Sequence, residues 1–375
     1  MTAKKRLVLC MDGTWNTVTK TSVPTNVVRF AQSVMPATDG VQQIVYYNAG
    51  VGTDGLVDRV LGGVFGVGLK RNVQRAYMFA ALNYRPGDEL YIFGFSRGAY
   101  TARAIAGIIG RVGLVYPRHF DRFEEVWQHY RRRTASELAD QTVRIKCVGV
   151  WDTVGSYGIP AGYGLGALGR MFTWRELHFH DTSLGHKIDI GLHAVAIDEH
   201  RRPFAPTFWT KQTGQALPEK QHCEQVWFAG AHSNIGGGYA NHGLSDIAMA
   251  WMMGRVMDLT DLRFDPAALQ GVARPDVMPP PDVSLSPLYL VSRTFPFNRP
   301  MLRHHALDVG LFRNVENPRR QNINEAVHWS VAKKIESAHY TARNLPASLP
   351  PTAVTQPSPW EQQIWQSLAS PPAGR

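Results

Sequence analysis

The sequence predicts an α/β fold, a mostly parallel central sheet covered by helices on both faces. Three observations carry this expectation. Short apolar runs rich in β-branched and aromatic residues recur along the chain, mostly without clean alternation, as in strands buried on both faces. Stretches of helical character separate them, so successive strands are joined by crossovers and lie parallel. Each run also stops abruptly at a cluster of Gly, Asp, Ser or His.

The elements follow in order. Residues 6–11 (RLVLCM) form the first expected strand and run into Asp12-Gly13-Thr14. Residues 43–47 (QIVYY) form the second, ahead of a helix over 67–82. The third, 89–93 (ELYIF), runs into Gly94-Phe95-Ser96-Arg97-Gly98 and a small-residue helix over 99–112. A helix over 120–139 precedes the fourth strand, 143–150, which ends at Trp151-Asp152-Thr153. The fifth, 192–197, ends at Asp198-Glu199-His200, and the sixth, 225–229, at Gly230-Ala231-His232, with a helix over 245–259 beyond. A late helix is expected over 323–335, after a Pro-rich connection around 279–281. Residues 1–343 read as a single catalytic domain with its motif-bearing core at 5–260, and 344–375 as an irregular Pro/Ser-rich tail. In parallel sheets, sites form at the carboxyl ends of the strands. Five strands here bring a nucleophile, an acid or a base to that edge.

Composition narrows the classes. The 375 residues are 44% hydrophobic and 19% charged, which excludes a disordered chain, a collagen-like repeat and a disulfide-dense mini-protein. Three cysteines, far apart, form neither a zinc spacing nor a disulfide framework, and fit a reducing compartment. The formal net charge of +10 permits an anionic partner, but no nucleic-acid-binding motif accompanies it. No apolar run approaches the roughly 18 residues needed to span a bilayer. The five apolar residues after Arg6 are too few for a signal-peptide core. Cytoplasmic synthesis without a conventional export signal is expected, and any delivery elsewhere is by a non-conventional route.

The chemistry centres on Gly94-x-Ser96-x-Gly98 between a strand and a helix. That is the setting of a nucleophile elbow, whose flanking glycines relieve a strained turn that exposes the serine hydroxyl. A serine nucleophile needs a base, and the base an orienting acid. His232 is the favoured base, because it follows the last core strand and precedes Gly236-Gly237-Gly238. Two acids fit, Asp152 and Asp198. Asp152 is preferred because an apolar run buries its approach and Thr153 stands ready to hydrogen-bond its carboxylate; Asp198 would then pair with Arg201 or Arg202, or cap a turn. The backbone N–H of Arg97 and the loop at Gly13 and Thr14 are the expected oxyanion donors. Asp12 is a candidate auxiliary acid. The reading calls for no cofactor. Two alternatives stay open: a metal-assisted hydrolase using Asp12, Asp152 and His232, and a non-catalytic lipid-binding or scaffold protein with the same fold.

Asp12-Gly13-Thr14-Trp15-Asn16, Gly50-Val51-Gly52-Thr53, Gly94-Phe95-Ser96-Arg97-Gly98-Ala99, Trp151-Asp152-Thr153-Val154-Gly155 and His232 through Tyr239 together resemble one α/β-hydrolase family. Its best-known members are the phospholipase effectors of bacterial type VI secretion. The resemblance covers about residues 5–260. It implies an α/β-hydrolase fold with lid-like insertions, a Ser–His–Asp site on Ser96 and His232, and lipid ester hydrolysis. Asn234 and Asn48 stand where this family commonly has Asp. By this resemblance the chain is expected to be a short form, lacking the large additional C-terminal region of the secreted effectors. A Gly-rich, apolar segment within 156–190 is the expected lid. Arg131-Arg132-Arg133 is a candidate contact for anionic headgroups, so transient membrane-surface contact is expected.

Overall fold

The computed structural model describes residues 4–13, 23–50, 62–154, 182–201, 204–269, 275–280 and 299–369, apart from 300, 304, 310–313, 339 and 347. The chain begins with β1 (Lys5–Met11), α1 (Asn26–Ser33), β2 (Ala37–Thr38), β3 (Val41–Asn48) and α2 (Gly62–Asn83). Next come β4 (Glu89–Phe95), α3 (Arg97–Val112), α4 (Phe123–Arg132), β5 (Ile145–Trp151), β6 (Ile188–Ala196) and β7 (His222–Phe228). They are followed by α5 (His232–Gly236), α6 (Gly243–Leu259), β8 (Glu325–Val327), α7 (Trp329–Ala338) and α8 (Pro359–Ala369).

An eight-stranded sheet runs β8-β7-β6-β5-β4-β1-β3-β2. Every pairing is parallel except β2 with β3. The expected α/β-hydrolase architecture is present. The strands are apolar throughout because both faces are covered. Val8, Cys10, Tyr91 and Phe93 pack with Phe30 of α1 and with Met252 and Met253 of α6. Their neighbours Leu7, Leu9, Leu90 and Ile92 pack on the other face with Tyr77 of α2, Ile105 and Ile109 of α3, and Phe123 of α4. The period-2 geometry of the strand splits one continuous apolar run between two cores. Among the described residues, no helix is long and apolar enough to cross a membrane.

Three expectations change. The helix expected over 120–139 is only α4, preceded by a 3₁₀ turn at Pro117–Arg122. It stops at Arg133, whose left-handed φ of 60° turns the chain back so that the N–H groups of Arg133 and Thr134 meet the last carbonyls. The helix expected from 323 begins at Trp329, because Glu325–Val327 adds to the sheet edge as β8, beside Gln225–Trp227. The tail expected to be irregular carries α8, which lays Ile364 and Leu368 into the core against α6. Gly254 permits this contact: a Cβ there would stand 2.8 Å from the Glu361 backbone nitrogen. Of the expected lid at 156–190, residues 156–181 lie outside the described residues, and Ile188–Ile190 belong to β6. Helix α1 has no counterpart in the sequence reading; Thr25 caps it, accepting from the Val28 N–H at 3.3 Å.

Candidate active site

β4 delivers Phe95 into the core and then turns sharply. Ser96 adopts φ 57° and ψ −119°, a strained conformation for a residue with a Cβ. The two flanking glycines are sterically required. A Cβ on Gly94 would lie 2.4 Å from the Gly98 carbonyl oxygen, and one on Gly98 would lie 2.1 Å from that of Met11. The start of α3 therefore rests directly on the end of β1. The Ser96 N–H is fixed on the Trp151 carbonyl at 3.1 Å.

Two strands away from β5, β7 ends at Phe228 and leads into α5. Asp198 accepts from the Gly230 N–H at 2.6 Å, and Asn234 accepts from the Ala231 N–H at 3.0 Å. These two contacts shape the turn that presents His232. The imidazole lies between two aromatic rings, Phe95 at 4.7 Å and Phe204 at 4.8 Å. Its Nε2 is 2.7 Å from Ser96 Oγ and its Nδ1 is 2.6 Å from Asp152 Oδ2. The His232 N–H points to Glu199 Oε2 at 3.4 Å.

Asp152 follows β5 with φ 39° and is fully buried. Its Oδ1 accepts from the Ala196 N–H at 3.0 Å. Arg299, also fully buried, grips both oxygens, Nη1 to Oδ1 at 2.6 Å and Nη2 to Oδ2 at 3.0 Å. Burial pushes the Asp152 carboxyl up. The Arg299 charge and the hydrogen bonds from His232 and Arg299 outweigh that and hold it well below the usual carboxylate range. Sequence reasoning missed Arg299, because it lies 147 positions away in a Pro-rich stretch with no motif around it.

Of the two candidate acids, Asp152 contacts His232 and Asp198 does not, and the expected partner Thr153 does not bond the Asp152 carboxylate. Thr153 gives its N–H to His193 Nε2 at 3.1 Å, and its buried hydroxyl has no hydrogen bond. Burial, helped by Arg103, lowers the His193 pKa to about 3, so this imidazole is neutral and accepts at Nε2. Asp198 does not pair with Arg201, and Arg202 lies outside the described residues. Asp198 accepts from Gly230 and from the Tyr340 hydroxyl at 2.6 Å, while Glu199 holds Arg201 in a two-pronged pair.

The loop after β1 also departs from expectation. Gly13, expected among the oxyanion donors, gives its N–H to Asp12 Oδ1 at 2.7 Å. Asp12 Oδ2 accepts from Thr25 at 2.6 Å and Tyr47 at 2.9 Å. Asp12 thus braces the loop. Thr14 lies outside the described residues. Arg97 is the first residue of α3, and burial lowers its guanidinium pKa to about 10. Asp12, Asp152 and His232 do not gather as a metal site. Among the described residues, no group of three or more His, Cys, Asp or Glu is placed to hold an ion, and both carboxylates are occupied by the donors just named.

Comparison with known proteins gives this geometry a family. Residues 5–255 match the model of the type VI secretion phospholipase effector Tle1-like catalytic domain. An uncharacterised Saccharomyces cerevisiae protein, YEL023C, is 29% identical over 239 residues, covering 55% of this chain and 33% of its own. An uncharacterised Pseudomonas aeruginosa protein of known structure is 19% identical, with TM-score 0.41 over 70% of this chain and 47% of its own. The Tle1 effector bound to the VgrG spike of the type VI secretion system is 18% identical, with TM-score 0.36 over 63% of this chain and 51% of its own. The chain thus spans about half or less of the length of these relatives. With the match covering most of the chain and all the residues that meet at Ser96 except Arg299, the protein belongs to the Tle1-like phospholipase effector catalytic-domain family.

Proposed function

We propose that the protein is a serine hydrolase that cleaves carboxylic esters of lipids, phospholipids foremost, through Ser96, His232 and Asp152. The observation that carries this reading is the continuous hydrogen-bonded line from Ser96 Oγ through His232 to Asp152. It stands at the carboxyl edge of the sheet, on a turn strained to expose the hydroxyl. The family adds the substrate class.

In this mechanism Ser96 Oγ attacks the ester carbonyl while His232 Nε2 takes its proton. Asp152 holds the ring through Nδ1, so that Nε2 faces the serine as an acceptor, and stabilises the imidazolium that forms. The tetrahedral oxyanion meets the Arg97 backbone N–H, at the positive end of α3. The carbon–oxygen bond to the alcohol breaks, the alcohol leaves with the proton from His232, and the acyl group stays on Ser96. Water, deprotonated by the same imidazole, then releases the fatty acid. A lipid substrate entails transient contact with a membrane surface, which a net charge of +10 favours over anionic headgroups. Delivery by a type VI-like secretion route belongs to the same reading.

The test is a panel of short and long p-nitrophenyl esters and labelled phospholipid vesicles, assayed for wild type and Ser96→Ala, with and without a chelator. Wild type is expected to cleave long-chain or phospholipid esters, to lose at least about 10⁴-fold in kcat on substitution, and to ignore the chelator. Full activity in Ser96→Ala would overturn the serine mechanism.

A further inference from the structure

Arg299 lies beyond residue 255, where the family match ends, yet its guanidinium touches the carboxylate on which His232 depends. It is locked in place. Its N–H is held by Asn344 Oδ1 at 2.9 Å, and Asn344 in turn donates to the Ile197 carbonyl. Nη1 also meets the Ala196 carbonyl at 2.9 Å, and Nη2 the carbonyl of Phe204. The first carbonyl ends β6 and the second belongs to the segment that follows it, where the ring of Phe204 packs on His232. An ion pair serving stability alone has no need to share its acceptor with a polarised imidazole.

We propose that Arg299 is a positioning residue for the base: its two-pronged ion pair fixes Asp152 Oδ2 toward His232 Nδ1 and offsets the carboxylate charge. This rests on the serine-hydrolase reading. The consequence concerns pH. A carboxylate shared with a guanidinium attracts an imidazolium less than a bare one, so the ion pair bears directly on the pH dependence of the reaction. Among the described residues, the other charged groups facing His232 include Glu199, which faces its backbone N–H, and Arg201, paired with Glu199. Arg299 is the one that contacts the Asp152 carboxylate.

The experiment measures two rates between about pH 5 and 9, the range where histidine titrates. One is the labelling of Ser96 by a fluorophosphonate; the other is kcat/KM on a p-nitrophenyl ester. Wild type is compared with Arg299→Gln and Arg299→Lys, each checked for folding by its thermal melt. Removing the cation favours the imidazolium, so the acid limb of both profiles moves up, by about one pH unit in Arg299→Gln and by less in Arg299→Lys, whose ammonium keeps charge but one contact. Below the limb that is about a tenfold loss. If Arg299→Gln does not fold, the Arg299→Lys profile decides. A limb that stays in place in a folded variant, with the rate lowered evenly at every pH, overturns the proposal and leaves Arg299 a structural peg. A wild type that the probe does not label at any pH overturns the serine-hydrolase reading itself, a separate result.

Discussion

Asp152 and Asp198 sit at the ends of neighbouring strands, yet their surroundings push them in opposite directions. Asp152 is gripped by a guanidinium and held ionised, whereas burial raises the Asp198 carboxyl above its ordinary value, opposed by hydrogen bonds from Tyr340 and Gly230. Only the first touches His232. Asp152→Asn is therefore expected to lower kcat by about 10⁴-fold, through loss of the correct imidazole tautomer. Asp198→Asn keeps an oxygen that accepts from Gly230 and Tyr340, and is expected to stay within about tenfold of wild type. Rates on one ester for both variants check this; equal losses would reassign the acid. From sequence, the two acids differ by one apolar run and a neighbouring threonine. That reasoning favoured the acid that contacts His232, but through a partner that does not bond it, since Thr153 gives its N–H to His193 and Arg299 grips the Asp152 carboxylate.

Between elements, buried polar pairs set how helices lie on the sheet. Arg29 of α1 pairs with Asp246 of α6, both buried, and His242 joins the same carboxylate at 2.7 Å. Glu224 of β7 accepts from Arg255 of α6 at 3.0 Å and from His222 at 2.5 Å. Burial opposes ionisation of Glu224, but these donors prevail and lower its pKa to about 2 from an unfolded value of 4.5. A depressed carboxyl contributes stability above its unfolded pKa and loses it as pH falls through its folded value. The stability margin of wild type over Glu224→Gln is thus expected to be full above about pH 4.5 and to vanish as pH falls toward about 2. Denaturant titrations at several pH values measure it; a pH-independent margin would show that the charge contributes nothing. The Arg29–Asp246 and Glu224–Arg255 pairs are not legible in the chain, because their partners are fixed by packing and not by spacing.

For the whole molecule, the C-terminal part is no appendage. β8 extends the sheet, α7 packs Val331 beside Val195 and Trp227, and α8 seats Glu361 against His328 at 2.9 Å and Trp329 at 2.9 Å. Ile364, 1% exposed, fills the core under α6. Ile364→Ala is expected to cost about 2–5 kcal/mol, read from chemical unfolding; a change below about 0.5 kcal/mol, the range of ordinary surface substitutions, would place α8 outside the cooperative unit. The sequence by itself determined the doubly covered parallel sheet, because strands buried on both faces must be apolar throughout. It also determined the elbow at Ser96, because only glycine fits where α3 meets β1, and the place of His232 after the last long strand. Those are local demands, written in neighbouring residues. Tertiary structure alone decided which donors surround Asp152, what occupies Gly13, where the late strand gives way to helix, and that a Pro-rich tail folds back. Each depends on groups brought together from distant parts of the chain, whose contact energies leave no periodic mark on the sequence.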